Sequence, residues 1–351
     1  MKNSQQSGMA MLVVLMITAL MAITAVNMSD YGLRALHRAT SSQFYLQSKW
    51  LLLSVESQVQ RQQLSPLPTD KVHLGQPWAR ADQHIVLDGS QVNFRLRDRQ
   101  SCFNLNALGR GQGAGEKVAA QTETPKEQES REQPAEESQA AESKKVPSVP
   151  YAQQVFQQLL LTQGVEATEA QNITLALADW MDKDALSRSG GSEASLYGSH
   201  RPRLVPANRP MLDTSEFRVI AGVDQALYLR LKPLICALPT PNLRININTL
   251  SPAQAPLLAA LFLGDMSVEA AQQLIARRPA TGWGGVNDLK PLIADSNTTF
   301  AKAQTAITLT SDHFELRLWL DEEQRSNSMR SLFQRDEQVF QVISRQYGLT
   351  D

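Results

Sequence analysis

Residues 9–26 read MAMLVVLMITALMAITAV and contain no charged side chain. Asn27 and Met28 extend this stretch to about twenty residues, the length of helix that crosses a hydrocarbon core of about 30 Å. A secretory signal has a shorter apolar run that is followed by a small-residue cleavage site, and no such site follows cleanly here. These residues therefore predict a membrane-spanning helix that stays attached to the protein.

Two interpretations fit the start of this helix. In the first, the segment is an uncleaved signal anchor whose Lys2 stays on the inner side of the membrane. In the second, residues 1–8 are a leader that is removed by a cut after Gly8, so that Met9 begins the mature protein with its apolar helix intact.

The helical pattern continues beyond the membrane segment. Between Tyr31 and Leu64 there is no proline, and Pro66 and Pro68 then end the pattern. Apolar residues recur there at three- and four-residue steps, as one face of a helix requires, at Leu33, Leu36, Leu52, Val55 and Val59. We expect one transmembrane and assembly helix over residues 9–64, of about 50 residues and about 75 Å.

Alternating apolar and polar residues predict strands on both sides of the chain's middle. Residues 84–96 predict a β-hairpin, because the alternation flanks the turn signal Asp88-Gly89-Ser90. After Thr305 the alternation returns, and the predicted strands contain Ile307 and Leu309, Phe314–Leu320, Met329–Phe333 and Val339–Ser344. We predict an α+β fold in which the long helix packs on a small antiparallel sheet built from residues 65–108 and 299–351.

The middle of the chain divides into two parts. Residues 109–150 contain no Leu, Ile, Phe, Trp or Tyr, cannot bury enough apolar surface to offset their ordering entropy, and predict a disordered linker. Residues 151–298 have helical patterning and predict an all-α domain inserted into the sheet domain. Two segments, from Ser215 and from Ile247, each show a polar cap, a helix, a glycine turn or loop and a second helix, which resembles helix-hairpin-helix (SAM-like) units.

Composition and motifs exclude several functions. A formal net charge of −1 excludes a nucleic-acid binder whose whole surface is basic, and five His and two Cys without CxxC or HExxH leave little for a zinc site. The chain has no GxSxG, no P-loop and no GxGxxG between a strand and a helix, so we expect no enzyme. His84, His200 and His313 are expected on the surface.

The leader and the helix together resemble the type IV pilin and pseudopilin families. Their leaders end in Gly, and the hydrophobic residue that follows becomes the methylated N-terminus, as Gly8–Met9 would. Most members carry Glu at the fifth mature position, where it pairs with the amino group of a neighbouring subunit, but this chain has Val13. The chain resembles the K-type minor pseudopilins of type II secretion in three further respects. These are the missing Glu, the helical insertion, and the stretches DWMDKD, GVDQALYLRLKPLICALP and ININTLSPAQ.

The resemblance implies a structural protein in the tip of the pseudopilus. It implies processing by prepilin peptidase, a single pass through the inner membrane, a globular part in the periplasm, and assembly with the I, J and H minor pseudopilins. The secretin and exported proteins are further candidate partners. The alternative is a membrane-anchored helix-hairpin-helix protein that binds DNA; Arg277, Arg278 and Lys290 would support it, but nearby acidic residues offset their charge.

An acidic stretch predicts a calcium site. Asp179, Asp182 and Asp184 lie in ADWMDKD, and Glu193 follows two glycines, so carboxylates cluster on a glycine-bearing loop as calcium requires. A solvated acidic loop fits the same residues. K-type pseudopilins bind calcium in this domain, and Asp182, Asp184 and Glu193 match their pattern. An alanine and a serine then stand where acidic residues often follow, which puts one ligand or one ion in doubt.

Cys102 and Cys236 are the only two cysteines. A chain that leaves the inner membrane places both in an oxidising compartment, which favours a disulfide between the inserted domain and the sheet. Two unpaired buried thiols are the alternative, since the spacing supplies no geometry.

Overall fold

The structure is a computed structural model that describes residues 4–81, 83–109, 149–182, 197, 205–293, 297–322 and 325–348. The predicted linker, 109–150, therefore lies outside the described residues except at its two ends.

One long helix begins the chain. Helix α1 spans Ser4–Val59 and continues without a break into a π-helical turn, Gln60–Leu64. The helix ends before Pro66, whose ring and missing N–H are incompatible with a continuing helix. Its first part is exposed, whereas from Phe44 onward one face is buried.

The strands are β1 Gln83–Leu87, β2 Ser90–Asp98, β3 Phe103–Asn104, β4 Ile235–Cys236, β5 Ile245–Asn246, β6 Ile307–Thr308, β7 His313–Glu322, β8 Arg325–Asp336 and β9 Val339–Tyr347. Five of them form an antiparallel sheet in the order β1-β2-β7-β8-β9. Helix α1 packs on one face of this sheet, where Leu52 and Val55 share a core with Phe94, Leu316 and Phe333. The long helix and the antiparallel sheet confirm the predicted α+β fold.

The first hairpin forms where the sequence predicts it. Strands β1 and β2 are joined by the two residues Asp88 and Gly89, which both have positive φ, 50° and 81°. A two-residue turn of this kind matches the twist of antiparallel strands and favours Asp-Gly.

The remaining α-helices are α2 Tyr151–Thr162, α3 Ala167–Met181, α4 Gln225–Leu231, α5 Ala255–Leu261, α6 Val268–Ala276 and α7 Asn297–Gln304. Short 3-10 turns cover Pro77–Ala79, Leu105–Gly109, Thr214–Val219, Pro252–Gln254 and Val286–Leu292. All of these except Pro77–Ala79 lie between β2 and β7 in the chain, although β2 and β7 are neighbours in the sheet. The break expected at residue 298 falls inside α7.

The helical part consists of two units with the same plan. In the first unit, β3 pairs in parallel with β4, and in the second, β5 pairs in parallel with β6. Each unit begins with an Asn-x-Asn sequence, at Asn104 and Asn106 and again at Asn246 and Asn248, and all four side chains are buried.

The second asparagine of each pair binds an equivalent backbone segment. The Asn106 amide donates to the carbonyl oxygen of Met211 at 2.9 Å and accepts from its N–H at 2.7 Å. The Asn248 amide does the same at Trp283, at 3.1 and 2.7 Å. A buried amide paired on both sides fixes the backbone that it contacts, so the two units are closed by the same interaction.

The repeated segments differ from those that the sequence pattern indicated. The segment from Ser215 corresponds in the structure to the one that follows Trp283, not to the one from Ile247. Glu216 accepts from the N–H groups of Leu212 and Asp213, and Asp288 accepts from those of Gly284 and Gly285. The helix pair α5–α6 corresponds instead to α2–α3. In both capped segments the first helix is a 3-10 helix, which lacks the α-helical period.

Candidate functional site: assembly helix, domain junction and acidic helix end

The N-terminal part of α1 exposes only apolar and small polar side chains. Residues 9–26 are exposed throughout, and this is the one helix among the described residues that is long and apolar enough to cross a membrane. Gly8 and Met9 lie inside α1, and Val13 is 51% exposed. An apolar surface of this size is normally covered by lipid or by another protein.

Beyond the apolar segment, α1 has apolar residues on two faces. Phe44 and Leu52 are buried against the sheet, whereas Leu46 and Trp50, one turn apart, are 59% and 67% exposed. Further exposed apolar side chains on the same helix are Tyr31, Leu33, Leu36 and Tyr45. The helix therefore binds its own sheet with one face and leaves apolar side chains exposed on another.

An ion pair between the buried Glu56 and the exposed Arg345 fixes α1 to the sheet. The Glu56 carboxylate is 3% exposed and accepts two hydrogen bonds of 2.8 Å from the Arg345 guanidinium on β9. The hydroxyl of Ser331 on β8 donates to the same carboxylate at 2.9 Å. The bonds to Glu56 raise the pKa of Arg345. Because the geometry is bidentate and charge-assisted, α1 is held in one position relative to β8 and β9.

The junction between the sheet and the helical part is built on one carboxylate. Asp98 ends β2, is 6% exposed, and accepts from the N–H of Gln100 at 2.7 Å. Its other oxygen accepts from the hydroxyls of Thr249 and Ser311, both at 2.5 Å. Asn246 donates to the Ser311 hydroxyl at 2.7 Å. Asp98 thus joins β2, the second helical unit and the chain that returns to β7.

Burial raises the pKa of Asp98 to about 6, although its hydrogen bonds to Ser311, Thr249 and Gln100 act in the opposite direction. Asp98 is not among the site residues predicted from the sequence. The available signal was an aspartate two residues before Gln100, a spacing at which the side chain binds the backbone N–H and forms a turn.

A disulfide joins Cys102 to Cys236, with the Cα atoms 5.8 Å apart. Both cysteines are buried, at 4% and 0% exposure, beside the parallel pair β3–β4. The bond connects the start of the first helical unit to its end. It therefore closes a covalent loop of the chain, and residues 110–148 belong to that loop.

The acidic stretch lies at the C-terminal end of α3. Asp179 is 2% exposed, Asp182 caps the helix, and the last turn contains no basic residue. The C-terminus of a helix carries a partial negative charge, so two carboxylates there favour a bound cation. Asp184 and Glu193 lie outside the described residues. In the part of the chain that the structure describes, no three His, Cys, Asp or Glu side chains form a metal-binding group.

The three histidines differ in their surroundings. His84 is exposed, as expected, and His200 lies outside the described residues. The expectation for His313 was wrong, because this side chain is 6% exposed and burial lowers its pKa. It lies at the first position of β7, next to the junction, where the alternation of the strand alone does not indicate its burial.

The basic residues of the DNA-binding alternative are partly used inside the protein. The Arg278 guanidinium donates to the carbonyl oxygens of Ile247 and Leu250 at 3.2 and 2.6 Å. It therefore holds the second helical unit together. The contact removes one of the three cations that would have neutralised phosphates.

The chain matches the family described as "Type II secretion system (T2SS), protein K" over residues 101–240 and 245–310. The boundary between these two matched regions coincides with the boundary between the two helical units. The chain is 32% identical over 351 residues to type II secretion system protein K of Dickeya chrysanthemi, and the alignment covers 99% of this chain and 98% of the relative. It is 34% identical to the protein of that name from Aeromonas hydrophila, covering 90% of this chain and 88% of the relative.

A solved structure is similar as well. The crystal structure of the GspK-GspI-GspJ complex from the type 2 secretion system of enterotoxigenic Escherichia coli contains a chain that matches with a TM-score of 0.73 and 34% identity. The match covers 89% of this chain and 100% of that chain. None of these matches supports DNA binding.

The pKa of Asp98 predicts a pH-dependent stability. An aspartate with a raised pKa stabilises the folded protein below about pH 4, and this contribution is lost as the pH rises through about 6. Relative to Asp98→Asn, the wild-type free energy of unfolding should fall by about 2 kcal/mol between pH 4 and pH 7. Urea unfolding of both proteins across this range measures the difference. Asp336→Asn, an exposed carboxylate at the end of β8, is the control, and a difference that does not change with pH would contradict the prediction.

The disulfide predicts a redox-dependent stability. In the chain-entropy model, a bond between residues 134 apart stabilises the folded state by about 5 kcal/mol. Dithiothreitol should therefore lower the unfolding midpoint of the wild-type protein and leave the double variant Cys102→Ser, Cys236→Ser unchanged. Chemical unfolding with and without reductant tests this, and equal midpoints for the oxidised and reduced wild type would exclude it.

Proposed function

The chain belongs to the type II secretion system protein K family, and we propose that it is the minor pseudopilin that initiates and caps the tip of the pseudopilus. The observation that carries this proposal is the structure of α1, which is exposed and uncharged over residues 9–26 and has a second exposed apolar face further along. Such a helix inserts in a membrane and then packs against the helices of similar subunits.

Val13 supports a position at the tip. A carboxylate within the hydrocarbon costs about 2.5–3.5 kcal/mol on insertion scales, so a subunit that carries one gains by pairing it with a neighbour. Val13 creates no such cost. The chain therefore needs no subunit above it, which suits the first subunit of an assembly.

The helical part supports the capping role. It is inserted between β2 and β7. Two contacts hold it to the sheet: the hydrogen bonds of Asp98, and the ion pair in which Arg330 Nη2 lies 2.7 Å from Asp213 Oδ2. A rigid mass at the end of the sheet domain would obstruct the addition of a subunit on that side. We propose that its two units are of the helix-hairpin-helix (SAM-like) type.

The expected partners follow from the family. The I and J minor pseudopilins, with H, would pack on the exposed face of α1, and prepilin peptidase would cut after Gly8 and methylate Met9. The protein would be anchored in the inner membrane by one helix, with its globular part in the periplasm, and would act by assembly, not by catalysis. The assembled tip would help move folded proteins through the outer-membrane secretin.

We also propose that the helical part binds calcium at the end of α3. Asp179 and Asp182 bring two carboxylates to a helix C-terminus, and Asp184 and Glu193 would add further oxygen ligands from the segment that follows. The last turn of α3 contains no basic residue, and a divalent cation would supply positive charge next to these carboxylates. Tyr197 follows this segment in the sequence, and the centroid of its ring lies 5.2 Å from that of Trp180 at the same helix end.

Processing can be measured directly. When the full chain is produced with its prepilin peptidase, intact-mass and N-terminal analysis should find an N-methylated Met9, and without the peptidase an unprocessed Met1. Gly8→Val should block the cut, because the peptidase requires a small residue there, while Ser7→Val should not. A mature chain that begins at Met1, or beyond Val26, would remove the assembly helix from the proposal.

Calcium binding can be measured by stability. Calcium at about 100 times its dissociation constant should raise the free energy of unfolding by about 2.7 kcal/mol, since it binds the folded state. We expect thermal unfolding of the full chain in detergent to shift upward with CaCl2 relative to EDTA. The shift should disappear in Asp182→Asn and Asp184→Asn and persist in Asp336→Asn. Equal shifts in all four proteins, or none in the wild type, would contradict the site.

A further inference from the structure

Strand β1 forms one edge of the five-stranded sheet. In an antiparallel pair, the backbone groups of alternate residues bind the neighbouring strand, and those of the residues between them point away from it. The two-residue turn makes Leu87 and Ser90 a hydrogen-bonded pair, so His84 and Val86 point their N–H and C=O groups away from β2. Within the ranges that the structure describes, no other segment binds the backbone of either residue. Strand β1 therefore presents an open row of donors and acceptors.

The usual protections of an edge strand do not occur in β1. Native edge strands carry charged residues, proline or a bulge, which oppose the addition of another strand. The sequence of β1, QHIVL, contains no Asp, Glu, Lys, Arg or Pro, and its register with β2 is continuous. Ile85 and Leu87 are half-buried on one face, and Val86 is 62% exposed on the other. The edge of β1 is therefore both unpaired and apolar.

The opposite edge of the sheet differs. Strand β9 pairs with β8 through a register shift between Leu332 and Phe333, which is the irregularity that a bulge produces. Arg345 on β9 is held in the ion pair with Glu56 on α1. Because an open edge strand is a template for pairing with another chain, we expect the sheet to bind a partner at β1 and not at β9.

A cavity of about 350 Å³ lies beside β1, and we call it the edge cavity. Both faces of the strand contribute to its lining, through Ile85 on the α1 side and His84 on the other, so the cavity reaches the free edge. Val59 on α1 and Phe94 on β2 also line it and are buried. A strand that adds to β1 would direct alternate side chains to the α1 side of the sheet. The edge cavity therefore has an apolar base at the place where one of these side chains would lie.

The rim of the edge cavity is polar. Gln62 and Gln63 line it from the π-helical turn, and neither amide has a hydrogen-bond partner among the residues that the structure describes. The Arg80 guanidinium lines it too, without an ion pair inside those ranges. Gln83 donates to the carbonyl oxygens of Trp78 and Arg80 at 3.1 and 3.0 Å, which holds Arg80 close to the strand. Side-chain amides can bind the backbone of an added strand, and a guanidinium binds a carboxylate.

We propose that β1 binds an extended segment of a partner protein, which adds to the sheet beside β1, places an apolar side chain in the edge cavity and brings a carboxylate to Arg80. Backbone hydrogen bonds with His84 and Val86 would supply affinity, and the sites for alternate side chains would supply selectivity. Strand β1 itself contains no carboxylate, so a second copy of the strand does not supply the group that Arg80 binds. The charge of Arg80 therefore favours a different protein with an acidic residue in its strand.

Binding can be measured with fluorescent peptides and the full chain in detergent micelles. The first probe has about ten residues, alternates valine with threonine and carries one glutamate, and the second carries glutamine instead. We expect Val86→Pro to bind both probes about tenfold more weakly than the wild type, because proline removes the outward N–H and its ring obstructs an approaching strand. Val86→Thr keeps the N–H and the β-branched shape, so it should bind like the wild type.

The carboxylate contact is tested by a separate variant. Arg80→Gln should weaken binding of the glutamate probe about tenfold and leave binding of the glutamine probe unchanged. Arg277→Gln, which replaces an exposed arginine at the end of α6, should leave both unchanged. An equal loss for the two probes in Arg80→Gln would overturn the assignment of an acidic partner strand.

Strand addition has a signature that other modes of binding lack. The bound probe should slow hydrogen exchange at the amides of His84 and Val86. Of two probes that are N-methylated on either alternate set of residues, only the one that keeps the amides facing β1 should bind. Both measurements use the wild-type protein, so they decide the proposal even where a variant unfolds. Unprotected amides in the complex, or a wild-type protein that binds neither unmethylated probe, would overturn it.

Folding and self-association are controlled separately. Proline is tolerated in an edge strand where its nitrogen faces away from the sheet, so Val86→Pro should melt like Val86→Thr. Wild-type affinity in a folded Val86→Pro would overturn the proposal. A wild-type dimer in sedimentation that Val86→Pro abolishes would assign the edge to a second copy of this chain instead. None of these outcomes depends on processing after Gly8, on tip position or on the exposed apolar face of α1.

Discussion

The two ends of the helical part leave the sheet side by side, and the rest of the structure depends on this constraint. Asp98 at the end of β2 is paired in register with Phe314 at the start of β7, so residues 99–312 can be inserted without breaking the antiparallel ladder. The buried carboxylate of Asp98 holds this point by accepting from Ser311 and from Thr249 in the second helical unit. A carboxylate can join three segments in this way because it accepts several hydrogen bonds at once.

The same constraint explains how a single helix combines a long apolar segment with a place in the globular part. The sheet, closed at the junction, presents a continuous apolar face to α1, and the Glu56–Arg345 ion pair fixes the helix on it. The helical units are fixed to the same sheet through Asp98 and Arg330. Helix α1 from Phe44 onward, the sheet and the inserted units are therefore joined by direct side-chain contacts.

Local features of the fold were predictable from the sequence, and non-local features were not. The apolar run, the hairpin at Asp88–Gly89 and the later strands follow from patterns within a few residues, and the structure contains them. The burial of His313 and the role of Asp98 depend on segments that are far away in the chain, and neither was predicted. For the calcium residues, the pattern identified an acidic helix end at Asp179 and Asp182, and the rest of that site remains a prediction.

The sequence by itself determined that this protein has an apolar helix long enough to cross a membrane, an interrupted antiparallel sheet and a helical insertion, because hydrophobic periodicity is a local property that burial imposes on each element. It also determined, through family resemblance, that the protein belongs to type II secretion. Only the tertiary structure decided which strands are neighbours. That register placed Arg95 opposite Arg317, brought Cys102 to Cys236, and matched the two Asn-x-Asn units. The reason is physical: strand register and side-chain contacts between distant segments are set by the packing of the whole chain, and no short window of residues contains them.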